Sequence, residues 1–203
     1  AQSSLDNIVE ASGATKTIAV SLMKIANDIR WMGSGPRGGF GEIELPEVQP
    51  GSSIMPGKVN PVIPESVCQV AAQVIGNDAT ISIAGQSGNF EINVMMPVAA
   101  YNLIQSIELI SAAAENLAIQ CIDGLKATPK GPEMVEKGLA IVTTLVPYIG
   151  YDKSAELAHK AQQTGLTIKE VALKETNLSE EQLIEILDPE SMTEPSVPEV
   201  SPG

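Results

Sequence analysis

Aromatic residues are scarce in this chain: one Trp, three Tyr and two Phe among 203 residues. A core without them has to be aliphatic. Ile, Val, Leu, Ala and Met pack readily as helices, whereas a β-sandwich draws on aromatic and β-branched strands. Histidine is scarcer still. His159 is the only one, so there is no His pair for zinc, no local Ser-His-Asp set and no recognisable Cys-His dyad. Its place beside Lys160 on a short expected helix marks it as a solvated surface residue. The only cysteines are Cys68 and Cys121. Both lie in apolar helical contexts without metal-ligand spacing, and each is expected as a small buried residue. Basic residues number 12 against 25 acidic, a net charge of −13. That balance argues against a nucleic-acid or anionic-membrane surface. It leaves an anionic substrate open, because a site is a local field. No apolar run reaches the ~18 residues of a membrane span, and no signal-peptide pattern is visible. The sequence starts at Ala1, inside what reads as a helix, as expected of a fragment or processed product.

What is present is helical periodicity. Ile18, Leu22, Ile25, Ile29 and Met32 recur at spacings of four and three, an apolar seam on a long helix. Gly33 to Gly51, rich in Gly and Pro, reads as an extended loop. A second helix is expected from Asn60-Pro61, with Val67, Val70, Val74 and Ile81 on its buried face, breaking near Gly85 to Gly88. A third seam runs Leu103, Ile107, Ile110, Ala114, Leu117, Cys121. Three such seams predict an all-α long-helix bundle over residues 1–127. Shorter helices follow. Asp152 is placed to cap one that Gly165 stops. Thr167 with Glu170 and Ser179 with Gln182 have capping-box spacing. They predict a small helical C-terminal domain over 128–188, and the acidic, Pro-rich stretch 189–203 reads as a disordered tail.

Two apparent nucleotide motifs fail on context. Gly33-Ser34-Gly35-Pro36-Arg37-Gly38 satisfies G-x-G-x-x-G but follows a helix and contains Pro, where a dinucleotide fingerprint must follow a strand. Gly51 to Lys58 looks like a P-loop, yet five residues separate its glycines and Val59 stands where the metal-reaching Ser or Thr belongs. Asp28 and Arg30 are expected to make surface or loop-anchoring contacts, and Glu42 and Glu44 to face solvent.

The densest chemistry lies at 51–61, Gly-Ser-Ser-Ile-Met-Pro-Gly-Lys-Val-Asn-Pro. Two hydroxyls, an ammonium and a carboxamide share one short loop. The loop enters a helix at Pro61 with Asn60 in the capping position. Unpaired N–H groups and the positive dipole end at such a start favour anions, and Lys58 adds a full charge. The stretch is expected to hold a carboxylate or phosphate. Capping alone explains Asn60 and Pro61 but not Ser52, Ser53 and Lys58.

These eleven residues resemble the signature loop of the fumarase/aspartase superfamily. Ser21 to Asp28, Ser34-Gly35-Pro36-Arg37, Gly85 to Val94 and Ile149 to Lys153 are similar to class II fumarase, so the resemblance covers roughly residues 10–190. It implies reversible addition and elimination across the double bond of fumarate, giving L-malate through an aci-carboxylate intermediate. It implies Ser52 as catalytic base and Glu65 as the carboxylate that pairs with a catalytic histidine. It implies Ser53, Lys58, Val59 and Asn60 as substrate-binding residues, with no cofactor and no metal. The loop is expected to be mobile and to close over substrate. Family sites are built from three chains of a homotetramer. The implied partner is therefore further copies supplying segments, including the histidine, that these residues lack. The bundle is then part of the tetramer's central bundle, and the chain alone is expected to be inactive. Aspartase shares the loop, so an aspartate ammonia-lyase stays open, as does a non-catalytic helical assembly module. Cytoplasm or mitochondrial matrix both fit two free thiols.

Overall fold

The computed structural model describes residues 2–52, 54–55 and 57–193. The chain falls into two compact units, one ending at Thr128 and the next beginning at Pro129.

The first unit is built on three long helices: α1 (Asp6–Met32), α2 (Val62–Gln86) and α3 (Met96–Leu117). α3 runs on into one π-helical turn, Ala118–Ile122. α1 and α2 are antiparallel, since Ser12 meets Asp78 and Asn27 meets Cys68. The helices approach closely because their inner faces are small. Ala19, Ala26, Ala71, Ala84 and Ala99 are all buried, with Val67, Val74, Ile81 and Ile110 filling the space between them. Each large aliphatic side chain fully buried in this way contributes about 1.5–3 kcal/mol.

The inner faces differ in part from the seams read in the sequence. On α2, Val67, Val74 and Ile81 are buried and Val70 is half-buried, as the periodicity predicts. On α1, Ile29 is buried and Leu22 and Met32 are half-buried, but Ile18 and Ile25 are exposed. Ser12, Thr15, Ala19 and Ala26 take the inside instead. On α3, Ile107 and Ala114 are exposed, and Ser106 and Ala113 are buried. Close packing selects small residues, so the larger aliphatics lie on outer faces. Two polar clusters help fix this arrangement. Asp78 accepts from Lys16 Nζ (2.6 Å) and Ser12 Oγ (2.8 Å). Asn77 Nδ2 donates to Ser106 Oγ and Gln105 Oε1, each at 3.0 Å.

Residues 2–5, expected within a helix, precede α1. Buried Leu5 occupies the N-cap position of α1, and Gln2–Ser4 precede it. After α1 a short antiparallel ribbon, β1 (Ile43–Glu44) with β2 (Lys126–Ala127), ties the long connection to the end of the unit. Thr128 Oγ1 donates to the Gly41 carbonyl at 2.6 Å. Glu44 is exposed, but Glu42 is half-buried, because its main chain bonds Met32 and Thr128.

The second unit holds more helices than the sequence suggests: α4 (Lys130–Lys137), a 3-10 segment (Ala140–Leu145), α5 (Val146–Ile149), α6 (Tyr151–Thr164), α7 (Ile168–Glu175) and α8 (Glu180–Ile186). Leu145, Leu157, Ile168, Val171 and Leu183 form its core. Both capping boxes are present, at Thr167 and at Ser179. Gly165 ends α6 at φ +72°, a left-handed conformation that costs other residues more. Asp152 is not a cap: α6 starts one residue earlier, with Gly150 in the N-cap place, and Asp152 supplies a negative charge to the first turn. Residues 189–193, expected within the tail, are structured. Asp188 accepts from the main chain of Glu190 and Ser191, and Ser191–Thr193 form a 3-10 turn. The rest of that stretch lies outside the described residues. No helix among the described residues is long and apolar enough to cross a membrane.

Candidate functional site at the 51–61 loop

The loop is closed by its own main chain. The Ser52 N–H donates to the Lys58 carbonyl at 2.7 Å, and the Lys58 N–H donates to Met55 at 3.2 Å. Gly51 is required at the mouth of this closure. A Cβ there would stand 2.8 Å from the Lys58 carbonyl oxygen, closer than side-chain carbons come. Gly57 takes φ +78°, the left-handed conformation that glycine accepts without strain. The closure brings Ser52 and Lys58, six positions apart in sequence, to one neck.

Within the loop the Ser52 hydroxyl oxygen accepts from the Ile54 N–H at 3.2 Å. That contact matters chemically, because an N–H aimed at a hydroxyl oxygen favours its ionised form. Ser52 is half-buried, while Lys58 is exposed and has no ion pair among the described residues. The ammonium is therefore available to an incoming anion. Val59 is exposed and Asn60 half-buried. Ser53 lies outside the described residues.

The entry to α2 differs from the sequence expectation. Pro61, not Asn60, is the N-cap residue, and no side chain caps the helix. Asn60 contributes its carbonyl, which accepts from the Val62 N–H at 2.8 Å. Two prolines, Pro61 and Pro64, bring no N–H, and the Glu65 N–H is bonded to Pro61 at 3.0 Å. Ile63 alone in the first turn keeps a backbone N–H without a partner among the described residues. An anion at this loop thus depends on Lys58 and side-chain donors more than on the helix end. By giving up the cap, Asn60 keeps its carboxamide without a partner among the described residues.

Glu65 stands half-buried in the first turn of α2, and its carboxylate accepts no hydrogen bond among the described residues. One turn on, Cys68 is half-buried rather than fully so, and its thiol donates to Asn27 Oδ1 at 3.6 Å. The same oxygen accepts from Arg30 Nη1 at 2.9 Å. Arg30 Nε is buried and has no partner among the described residues. Arg30, expected in a surface or loop-anchoring contact, is half-buried and bonded within α1. Asp28 pairs with Lys24 on the surface of α1. Cys121 is buried in the π-helical turn, and burial raises its thiol above the ordinary range. His159 is exposed on α6.

Two other conspicuous stretches flank the bundle. After α1, Ser34 Oγ donates to the Trp31 carbonyl and accepts from the Phe40 N–H, folding the glycine-rich segment into a tight turn. Gly39 has no room for a side chain there, as a Cβ would lie 2.4 Å from the Ser34 carbonyl oxygen. Trp31 and Phe40 meet edge to face at 6.1 Å. Between α2 and α3, buried Asn93 donates to the Ala84 carbonyl and accepts from the Met95 N–H, each at 2.8 Å. The Phe90 ring projects into the open from a backbone at φ +52°.

Comparison with known proteins shows what the chain is similar to. Residues 1–76 match a family described as Lyase, and residues 141–194 match one described as Fumarase C C-terminus. The chain is 55% identical over 191 residues to the protein named fumarate hydratase class II 2 of Pseudomonas aeruginosa, covering 94% of this chain and 42% of that protein. It is 49% identical over 196 residues to the fumarate hydratase class II of Bacillus subtilis, covering 96% and 42%. The crystal structure of a class II fumarase from Schistosoma mansoni superposes with a TM-score of 0.85 at 39% identity, covering 94% of this chain and 40% of that one. A fumarate lyase:delta crystallin from Brucella melitensis gives 0.79 at 49%, covering 93% and 41%. The chain thus spans about two fifths of the length of the curated relatives it matches. With about half of its residues identical to these enzymes over nearly all of its length, the chain belongs to the class II fumarase family.

Proposed function

We propose that this chain carries the signature-loop segment of a fumarate hydratase, an enzyme that interconverts fumarate and L-malate. The observation that carries this reading is the hydrogen-bonded closure of residues 52–58, which brings the main chains of Ser52 and Lys58 together at one neck. In the direction of fumarate, ionised Ser52 takes the proton from the malate carbon next to a carboxylate. The electron pair moves into that carboxylate and forms a dianionic aci-carboxylate. The pair then returns to form the carbon–carbon double bond as the C–O bond breaks, and the hydroxyl leaves with a proton as water. The proton removed first is weakly acidic, so the barrier depends on groups that bind the dianion more strongly than the substrate. Lys58 supplies charge, and Asn60 and Ser53 supply neutral donors, with Val59 among the substrate contacts. The Ile54 N–H lowers the cost of ionising Ser52, which as a free hydroxyl is a poor base.

Glu65 acts on the leaving-group side, through a histidine contributed by a different chain. Sites shared among four copies account for the outer faces of the bundle, where Ile18, Ile25, Ile83, Ile104 and Ile107 are all exposed. Apolar surface of this kind marks an interface. The reaction needs no cofactor.

The test uses the intact protein and follows the ultraviolet absorbance of fumarate formed from L-malate and, separately, from L-aspartate. Fumarate from malate alone is expected. Fumarate from aspartate alone moves the protein to the ammonia-lyase branch. Neither product, together with no dicarboxylate binding, leaves a helical assembly module. Ser52→Ala is expected to lose most turnover while the far-ultraviolet dichroism stays unchanged. Near-normal turnover removes Ser52 from its role.

A further inference from the structure

Arg30 lies at the α1–α2 interface with its buried Nε–H left over. Its Nη1 is committed to Asn27 Oδ1, while its Nε–H is buried without an acceptor among the described residues. A buried donor left unpaired loses its hydration without compensation, and a charged group loses more. An acceptor is therefore expected in the working protein.

The helix register says which acceptor is nearest in kind. Asn27 on α1 faces Cys68 on α2, and the helices are antiparallel. One turn onward along α1 from Asn27 is Arg30. One turn back along α2 from Cys68 is Glu65. An unpaired half-buried carboxylate and a half-buried arginine with an unpaired Nε–H thus lie level with each other along facing helices. Of the other charges of this region, Glu42 is half-buried beyond the end of α1, where its N–H bonds Met32, and it is the competing carboxylate. Lys24 and Asp28 pair with each other on the surface, and Lys58 stands out in the loop.

We propose that Arg30 is a positioning residue for Glu65. Its Nε–H donates to the Glu65 carboxylate in the assembled site, and its Nη1, through Asn27, braces the turn of α2 that carries Cys68 and Glu65. This rests on the reading of Glu65 given under the proposed function. The arrangement explains why an arginine occupies a place where alanine and valine pack the neighbouring turns. Its long stem fills the interface, and its fork serves two acceptors at once. Arg30 does not touch substrate; it fixes the carboxylate that must hold the histidine.

Two measurements on the intact protein decide the matter. In a crystal structure, Arg30 Nε is expected within hydrogen-bond distance of a Glu65 carboxylate oxygen. Arg30 Nε bonded elsewhere, or still unpaired, overturns the proposal whatever reaction the protein catalyses. In kinetics, Arg30→Lys keeps the charge and stem but removes the fork. It is expected to lower kcat about ten-fold, the worth of one charge-assisted hydrogen bond, with KM within about two-fold. In a Glu65→Gln background the same change is expected to cost less than about two-fold, because the two residues act as one unit. Losses that simply multiply, or a lower melting temperature with unchanged kcat, reduce Arg30 to packing and overturn the proposal. If the intact protein fails to turn over malate, the fumarate reading falls, and the crystallographic distance alone decides the Arg30–Glu65 pairing.

Discussion

Lys16→Met tests whether the ion pair inside the bundle is held by charge or by packing. Asp78 has only 9% of its side chain exposed, against 42% for Lys16. Burial pushes the Asp78 carboxyl upward. The Lys16 hydrogen bond, the Ser12 hydroxyl and the Lys16 charge together overcome it and leave the carboxyl below its ordinary value. A group with a depressed folded value stabilises the fold above the unfolded value, roughly pH 4, and loses that contribution as pH falls through the folded value. Methionine keeps the stem and removes the ammonium. Asp78 is then buried with Ser12 as its one remaining side-chain donor, and its carboxyl is expected to rise above the unfolded value. Breaking a fully buried pair costs about 3–5 kcal/mol. Lys16 is substantially solvated, so about 2 kcal/mol is expected at pH 7. The sign of the pH dependence follows. The wild type gains from an ionised Asp78 and the variant pays for one, so their difference is largest above about pH 6 and closes below about pH 3. Urea unfolding followed by circular dichroism at both pH values measures it. A difference that does not change between them would refute the charge account and leave only the packing of the lysine stem.

Three further outcomes follow from particular contacts. Gly51→Ala forces the Lys58 carbonyl to move, since the added carbon would otherwise stand 2.8 Å from it. On the proposed function, turnover of malate should fall about 100-fold, the cost of a misplaced catalytic group, with the melting temperature unchanged. Leu157→Ala, at a site 1% exposed in the core of the second unit, is expected to cost about 2–5 kcal/mol in urea unfolding. Ser179→Ala removes the oxygen that accepts from the Gln182 N–H at 3.2 Å and is expected to cost about 1 kcal/mol, measurable in the same assay.

The sequence by itself determined the helical class, the three long helices and the inner face of α2. There valine and isoleucine recur at helical spacing and are buried where expected, with Ala71 and Ala84 beside them on the same face. It also determined the two capping boxes and the stop at Gly165, because these are local hydrogen bonds and backbone conformations written within four residues. The loop was legible as a candidate site, since helix capping alone does not account for Ser52, Ser53 and Lys58 in one sequence. Tertiary structure decided the rest. Ile18, Ile25 and Ile107 read as core but face outward, because helix packing ranks residues by how closely backbones must approach, and the sequence carries no partner geometry. Asn60 yields the cap to Pro61 because the main chain turns one residue later than side-chain preference suggests. The neck between Ser52 and Lys58, the lone donor on Arg30 and its register with Glu65 depend on contacts between segments distant in sequence or on backbone geometry. Those are set by the fold as a whole and by no local rule.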